Sequence, residues 1–281
     1  MAGSERLREL IRRAAGAEGT LGLAAGRRLA RECGLETREV EIAALEENLP
    51  PKRYLRNIAA FGLEGQRSLL SSRAAVIGAG GLGGYVIEIL ARAGVGELVV
   101  VDGDRFAEGN LNRQLLATEE NLGTAKARAA ARRVESINSA IRVEAHEFFL
   151  DADNAGSLIR GCDVAVDALD SISSRLLLEE AAAREGIPLV HGSIGGFFGQ
   201  VALSRPGEKI LRRIFGENGE DHGIEEVWGT PTPVPAVIAA IQAGEAIKLL
   251  LGRSSPLEGC LLLADIDAEL YSLLPLGRED S

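Results

Sequence analysis

Cysteine is scarce in this 281-residue sequence: there are three, Cys33, Cys162 and Cys260, with no CxxC pair. An odd, scattered set gives no disulfide framework and no four-thiolate zinc site, and it fits a reducing, cytoplasmic setting. Histidine is equally rare, and His146, His191 and His222 fall at no metal-ligand spacing. A basic excess is also missing. Thirty-one Lys and Arg face 41 Asp and Glu, for a net charge of -10. Nucleic acid and anionic membranes are therefore poor general partners. No run approaches the ~18 apolar residues of a membrane span. Arg and Glu interrupt residues 5–13, where a signal peptide would need an apolar core.

Glycine, in contrast, is abundant. There are 34, where ordinary usage of ~7% would give about 20. Hydrophobic residues at 46% and charged residues at 26% describe an ordinary globular chain and exclude disorder. The glycines do not form a repeat. They concentrate in GAGGLGG at 78–84 and GSIGGFFG at 192–199.

Two regions follow from the pattern. Residues 1–50 have apolar positions at helical spacing and end at Pro50-Pro51, which predicts a separate helical extension. Within it, 24–45 reads as a helix-turn-helix or as a helical packing module; the near balance of Arg and Glu favours packing. Residues 51–281 form the second region. From 73 onward, short apolar runs at 74–77, 98–101, 141–145, 164–168, 188–191 and 200–203 alternate with helical stretches at 85–93, 124–137 and 173–184. That alternation predicts an α/β fold with a Rossmann-like, mainly parallel sheet and helices on both faces. Residues 204–233 are polar and aperiodic, and predict a long crossover connection. A helix at 235–251 and strand-like runs at 260–265 and 269–274 follow, predicting an antiparallel extension of the sheet.

The chemistry starts in the first glycine run. Gly78, Gly80, Gly81 and Gly83 stand in a GxGxxG pattern after a strand and before a helix, where backbone N–H groups can approach a phosphate. Asp102, about 20 residues on and at a strand end, is placed to bind ribose hydroxyls. These features alone suit an NAD-dependent oxidoreductase as well as an ATP enzyme. The next segment favours ATP. Asp104, Asn110, Arg113, Gln114 and Lys126 follow in the loops after that strand, and two cations there suit a triphosphate better than a diphosphate.

With these blocks in order, the sequence resembles the E1-like adenylyltransferases of the HesA/MoeB/ThiF type, which activate ubiquitin-like sulfur carriers. The matching segments are RYLRN (53–57), GLEGQRSLL (62–70), VIGAGGLGG (76–84), VVVDGD (99–104), NLNRQ (110–114), GTAK (123–126), DALDSISSR (167–175) and QAGEAIKLLLG (242–252). The resemblance implies ATP and Mg²⁺ as cofactors. It implies a glycine loop around Gly80, ribose on Asp102, phosphates on Asn110, Arg113 and Lys126, and Mg²⁺ beside Asp170. It implies that Arg56 is an arginine finger entering the neighbouring subunit of a homodimer. The implied reaction is ATP-dependent adenylation of a sulfur carrier's C-terminal Gly-Gly carboxylate, with release of pyrophosphate. E1-like tRNA dehydratases share most of these blocks and are the nearest alternative.

The sequence also departs from its relatives. Many carry two CxxC pairs around the crossover, but residues 205–235 contain no cysteine, so no zinc is expected. Residues 204–233 also lack the cysteine that would form a thioester, so the reaction is expected to end at the adenylate and a separate sulfurtransferase to supply sulfur. Cys162 and Cys260 read as core residues. His191 reads as structural rather than as a site residue, and Phe197 and Phe198 as packing residues rather than adenine-stacking ones. The second glycine cluster suggests a passage for something narrow, such as a Gly-Gly tail.

Overall fold

The computed structural model describes residues 2–216 and 228–277. The extension is three helices, α1 (Ala2–Ala15), α2 (Leu23–Cys33) and α3 (Thr37–Glu46). Gly34, at φ 68°, ends α2 and turns the chain into α3. Ile11, Leu29, Val40 and Ala44 bury against one another, so α1, α2 and α3 share a small core of their own. This group is keyed to the rest of the chain. Lys52 N donates to Leu21 O at 2.9 Å, Arg38 donates to Gly96 O at 3.1 Å, and the buried Glu41 pairs with Arg53 at 3.3 Å. Burial raises the pKa of Glu41, with Arg53 opposing.

Helix α4 (Leu55–Ser71) comes next, in a stretch where the sequence reading placed no element. Gly62 has non-helical torsions (φ 76°, ψ 172°) and breaks the apolar period into two short halves. The main sheet then forms from β1 (Arg73–Ile77), β2 (Glu97–Val101), β3 (Arg142–His146), β4 (Val164–Asp167), β5 (Leu189–Gly195), β6 (Phe198–Ser204), β7 (Cys260–Asp265) and β8 (Leu270–Pro275). Its order is β3-β2-β1-β4-β5-β6-β7-β8. The first five in that order are mutually parallel, and β6, β7 and β8 add on antiparallel. The mixed sheet matches the expected architecture. Its inner parallel strands are buried on both sides, which is why they read as unbroken apolar runs.

On one face, α5 (Gly81–Ala93), α6 (Lys126–Ile137) and α10 (Pro233–Leu250) share a core with the sheet. On the other, α7 (Ala155–Ile159) and α8 (Ile172–Glu185) do so. Helix α9 (Ile210–Phe215) lies inside the stretch expected to be irregular. The buried Glu179 accepts from Leu211 N at 2.8 Å and holds the start of that helix. Residues 217–227, with His222, lie outside the described residues.

Helix α10 changes one expectation. It is long and apolar enough, by length and composition, to cross a membrane, because Gln242, Glu245 and Lys248 interrupt its run without making it polar. Half of it is buried, with Ile238, Ala239, Ala243 and Ala246 in the core. Its close approach also accounts for two glycines of the second cluster. A Cβ at Gly192 would lie 2.6 Å from Gln242 Oε1, and one at Gly199 2.2 Å from Ile238 Cγ1. At these positions the missing side chain admits a helix, not a tail.

Cys162 is buried, and burial pushes its thiol up to about 11. Cys260 is only partly buried, contrary to the core reading, because it opens a strand one position from the sheet edge. Phe197 and Phe198 are exposed rather than packed inside, since they flank the β5–β6 turn; Phe198 meets the Trp228 ring at 5.9 Å.

Candidate active site

The strand order reverses between β1 and β4, so the loops leaving their C-terminal ends diverge and open a crevice. The glycine run fills one side of it. Gly78, at φ 98°, makes the turn out of β1 and donates to Val101 O at 2.8 Å. The later glycines belong to α5 itself, which begins at Gly81 and not, as the apolar pattern suggests, at residue 85. Gly83 faces back under the loop, where a Cβ would lie 1.8 Å from Gly78 O. It sets how tightly loop and helix fold together, while Gly78, Gly80 and Gly81 line the cleft.

Asp102 follows β2. One of its carboxylate oxygens accepts from Ala79 N at 2.7 Å and the other from Asp104 N at 2.8 Å. The side chain thus ties the glycine loop to the next turn. Burial raises its pKa, and the Ala79 N–H and the Lys126 charge work against that rise. The chain then leaves and returns as a clip: Phe106 N donates to Thr124 O at 3.0 Å and Lys126 N to Asp104 O at 2.9 Å. At its tip the Asn110 carbonyl accepts from Arg113 N and Gln114 N, and the Asn110 side chain accepts from Ala107 N. Asn110 does not line the cleft; it shapes the turn that presents Arg113 and Gln114, which do.

Lys126 returns to the cleft at the start of α6. Its side chain is only 8% exposed, and its ammonium meets Asp104 Oδ2 at 2.9 Å. Gln114 is buried beside Gly80, and its Oε1 has no hydrogen-bond partner among the described residues. An orphaned buried acceptor costs stability unless a ligand's donor reaches it. Across the cleft, Asp170 stands exposed just after β4.

Arg56 lies apart. It is exposed near the start of α4, is absent from the cleft lining, and has no hydrogen bond or ion pair to another described residue. His191 is fully buried and does not reach the cleft. Phe148, Phe149 and Arg175 are among the lining residues to which the sequence reading gave no role. Phe148 and Phe149 follow β3 and stay largely exposed, with the Phe149 ring over Gly103, where a Cβ would lie 2.7 Å away. Arg175 lines the cleft from α8 and donates to Leu169 O at 2.7 Å. Their one sequence signal was position at strand and helix ends, which does not say which side chains turn inward.

The crevice therefore gathers a glycine turn, a helix N-terminus, three carboxylates and three cations around one orphaned acceptor. The sequence pattern of the ThiF family matches residues 54–279. The chain belongs to the ThiF family. It is 41% identical over 227 residues to the SAMP-activating enzyme E1 of Haloferax volcanii, covering 79% of this chain and 84% of that one. It is 40% identical over 239 residues to the sulfur carrier protein adenylyltransferase of Thermus thermophilus, covering 80% and 87%. The ThiF-family fold is also that of E. coli MccB with ATP, at TM-score 0.69, 24% identity, and 81% and 72% coverage. The family match starts at Tyr54, so helices α1 to α3 lie outside it.

Proposed function

We propose that this ThiF-family chain is an adenylyltransferase that uses ATP to activate the C-terminal carboxylate of a ubiquitin-like sulfur carrier ending in Gly-Gly. The observation that carries the reading is the meeting of Lys126, Arg113 and Asp170 on the glycine turn at the sheet's switch point. The names of its two relatives support the substrate class. An NAD-dependent oxidoreductase would leave those cations without a task.

The mechanism follows from charge. A C-terminal carboxylate, with an ordinary pKa near 3.5, is already ionised at pH 7 and requires no general base. Its oxygen forms a bond to the α-phosphorus of ATP. The bond from that phosphorus to the bridging oxygen breaks, and pyrophosphate leaves with the electron pair. The obstacle is anion meeting anion, so the residues' work is to position and neutralise. The glycine turn and the N-terminus of α5 receive phosphate on backbone N–H groups. Asp102 and the orphaned Gln114 Oε1 accept from ribose hydroxyls. Lys126 exchanges its Asp104 partner for phosphate oxygen, and Arg113 adds a second cation. Asp170 would hold Mg²⁺ on the triphosphate, where the ion offsets phosphate charge. No cysteine lines the cleft among the described residues, and Cys162 is held as a buried thiol; both support an activity that stops at the adenylate.

Arg56, exposed and outside its own cleft, suits a finger that completes a neighbour's site in a homodimer. Subunit mixing tests this. Arg56→Ala and Asp170→Ala should each abolish carrier-dependent ATP–pyrophosphate exchange. Mixed, they should recover on the order of a quarter of wild-type activity, because half the dimers are hybrid and each hybrid holds one intact site. No recovery would remove the finger in trans.

A further inference from the structure

We propose that His191 is a positioning residue for the nucleotide site, acting through Asp167 on the turn that presents Asp170. This rests on the reading of that turn as part of the Mg²⁺-ATP site.

His191 and Asp167 are paired neighbours on β5 and β4, and neither has any exposed surface. His191 Nδ1 lies 2.6 Å from Asp167 Oδ2. The other carboxylate oxygen accepts from Leu169 N at 3.0 Å. The Asp167 carbonyl accepts from Gln242 Nε2 at 2.5 Å, and the Leu169 carbonyl from Arg175. Buried side chains from three elements thus hold this turn at the Asp167 carboxylate, the Asp167 carbonyl and the Leu169 carbonyl. The residue that follows is Asp170, exposed at the cleft.

The imidazole's orientation is fixed from its far side. Gln200 Nε2 approaches His191 Nε2 at 3.3 Å, and Phe215 meets the ring edge-on at 5.4 Å. An amide donor at Nε2 leaves Nδ1 to carry the proton, which is the tautomer Asp167 needs. Burial lowers the pKa of His191, with Asp167 opposing; Arg175 and Glu179 are the other charges facing it. The ring is neutral, and its task is to donate one hydrogen bond in one direction. A buried carboxylate is expensive unless every lone pair is occupied. Here His191 and Leu169 N each bond one oxygen, and the Arg175 guanidinium stands 4.0 Å from Oδ2, so the carboxylate is held from both sides of the turn it anchors.

The discriminating variants differ in where they place a donor. His191→Asn puts an amide N–H where Nδ1 stands; His191→Gln moves it towards Nε2. Calorimetric titration with ATP, in Mg²⁺ and again in EDTA, reads the effect without any carrier. His191→Gln should weaken Mg²⁺-ATP binding by roughly tenfold, the range of losses for residues that orient a ligand-binding group. Its ATP affinity in EDTA should stay within about threefold, and His191→Asn should bind Mg²⁺-ATP within about threefold of wild type. Asp170→Asn should weaken Mg²⁺-ATP binding at least as much, and the double variant Asp170→Asn/His191→Gln should be no weaker than Asp170→Asn alone. If His191→Gln fails to fold, Gln242→Met loosens the same turn from the Asp167 carbonyl, outside the cleft lining, and should give the same Mg²⁺-selective loss. Equal losses with and without Mg²⁺, additive losses in the double variant, or no rescue by Asn would overturn the proposal. Asp170→Asn binding Mg²⁺-ATP like wild type would instead overturn the assignment of Asp170, and the proposal with it.

Discussion

Replacing Lys126 by Ala is expected to lower kcat/KM for carrier-dependent ATP–pyrophosphate exchange by about 10²–10³-fold, or roughly 3–4 kcal/mol of transition-state stabilisation. The reason is the charge balance of the cleft. Asp102, Asp104 and Asp170 supply three negative charges, and Arg175 is committed to the Leu169 carbonyl. Arg113 donates to Gly109 O and to Asn112 Oδ1. Lys126 is a buried cation whose present partner, Asp104, is half exposed and can yield to phosphate. Without the ammonium, a triphosphate would enter a site dominated by carboxylates, within a chain of net charge -10. The fold should survive. Asp104 can turn to water, so the stability change should stay near 1 kcal/mol, the scale of a partly exposed ion pair. Steady-state exchange together with a thermal melt checks both halves. Activity within about threefold of wild type would separate Lys126 from the phosphates.

Gly83→Ala is expected to damage both fold and nucleotide binding. The added methyl would stand 1.8 Å from Gly78 O and 2.7 Å from Gly78 C, backbone atoms that cannot turn aside as a side chain can. Overpacking against a flexible neighbour costs about 1–3 kcal/mol, and backbone contact lies at or beyond the upper end. At about 2–4 °C per kcal/mol for a chain of this size, the melting temperature should fall by roughly 6–12 °C. ATP affinity should fall by at least tenfold, because Gly78 and α5 must separate to make room and the N–H cradle opens. Gly244→Ala provides the control. It sits within α10 with nothing within 4 Å of the added carbon, and should raise stability by up to about 1 kcal/mol.

The parallel core was legible in the sequence because strands buried on both faces must be continuously apolar, and because GxGxxG marks where the first of them turns. Asp102 was legible because it ends a strand, and Arg113 and Lys126 because they are cations in the motif segments NLNRQ and GTAK of the loops that follow. Helix α4 was not, since Gly62 splits its period. Nor was the division of labour among the glycines: Gly78, Gly83, Gly192 and Gly199 are small for packing, while Gly80 and Gly81 stand uncrowded at the cleft, and only the neighbouring atoms distinguish the two. Phe148, Phe149 and Arg175 were missed for a similar reason. A cleft's walls come from loops distant in sequence, and composition does not record which way a loop side chain turns. His191 read as structural and is buried, yet its bond to Asp167 leads to the cleft's edge.

The most direct test of the account is intact-mass analysis of a ubiquitin-like carrier ending in Gly-Gly after incubation with this protein, ATP and Mg²⁺. The carrier should gain one AMP in a bond labile to hydroxylamine, with pyrophosphate released in equal amount and no thiol-sensitive adduct on the enzyme. A carrier of unchanged mass while ATP is consumed, or a carrier joined to an enzyme cysteine, would contradict it.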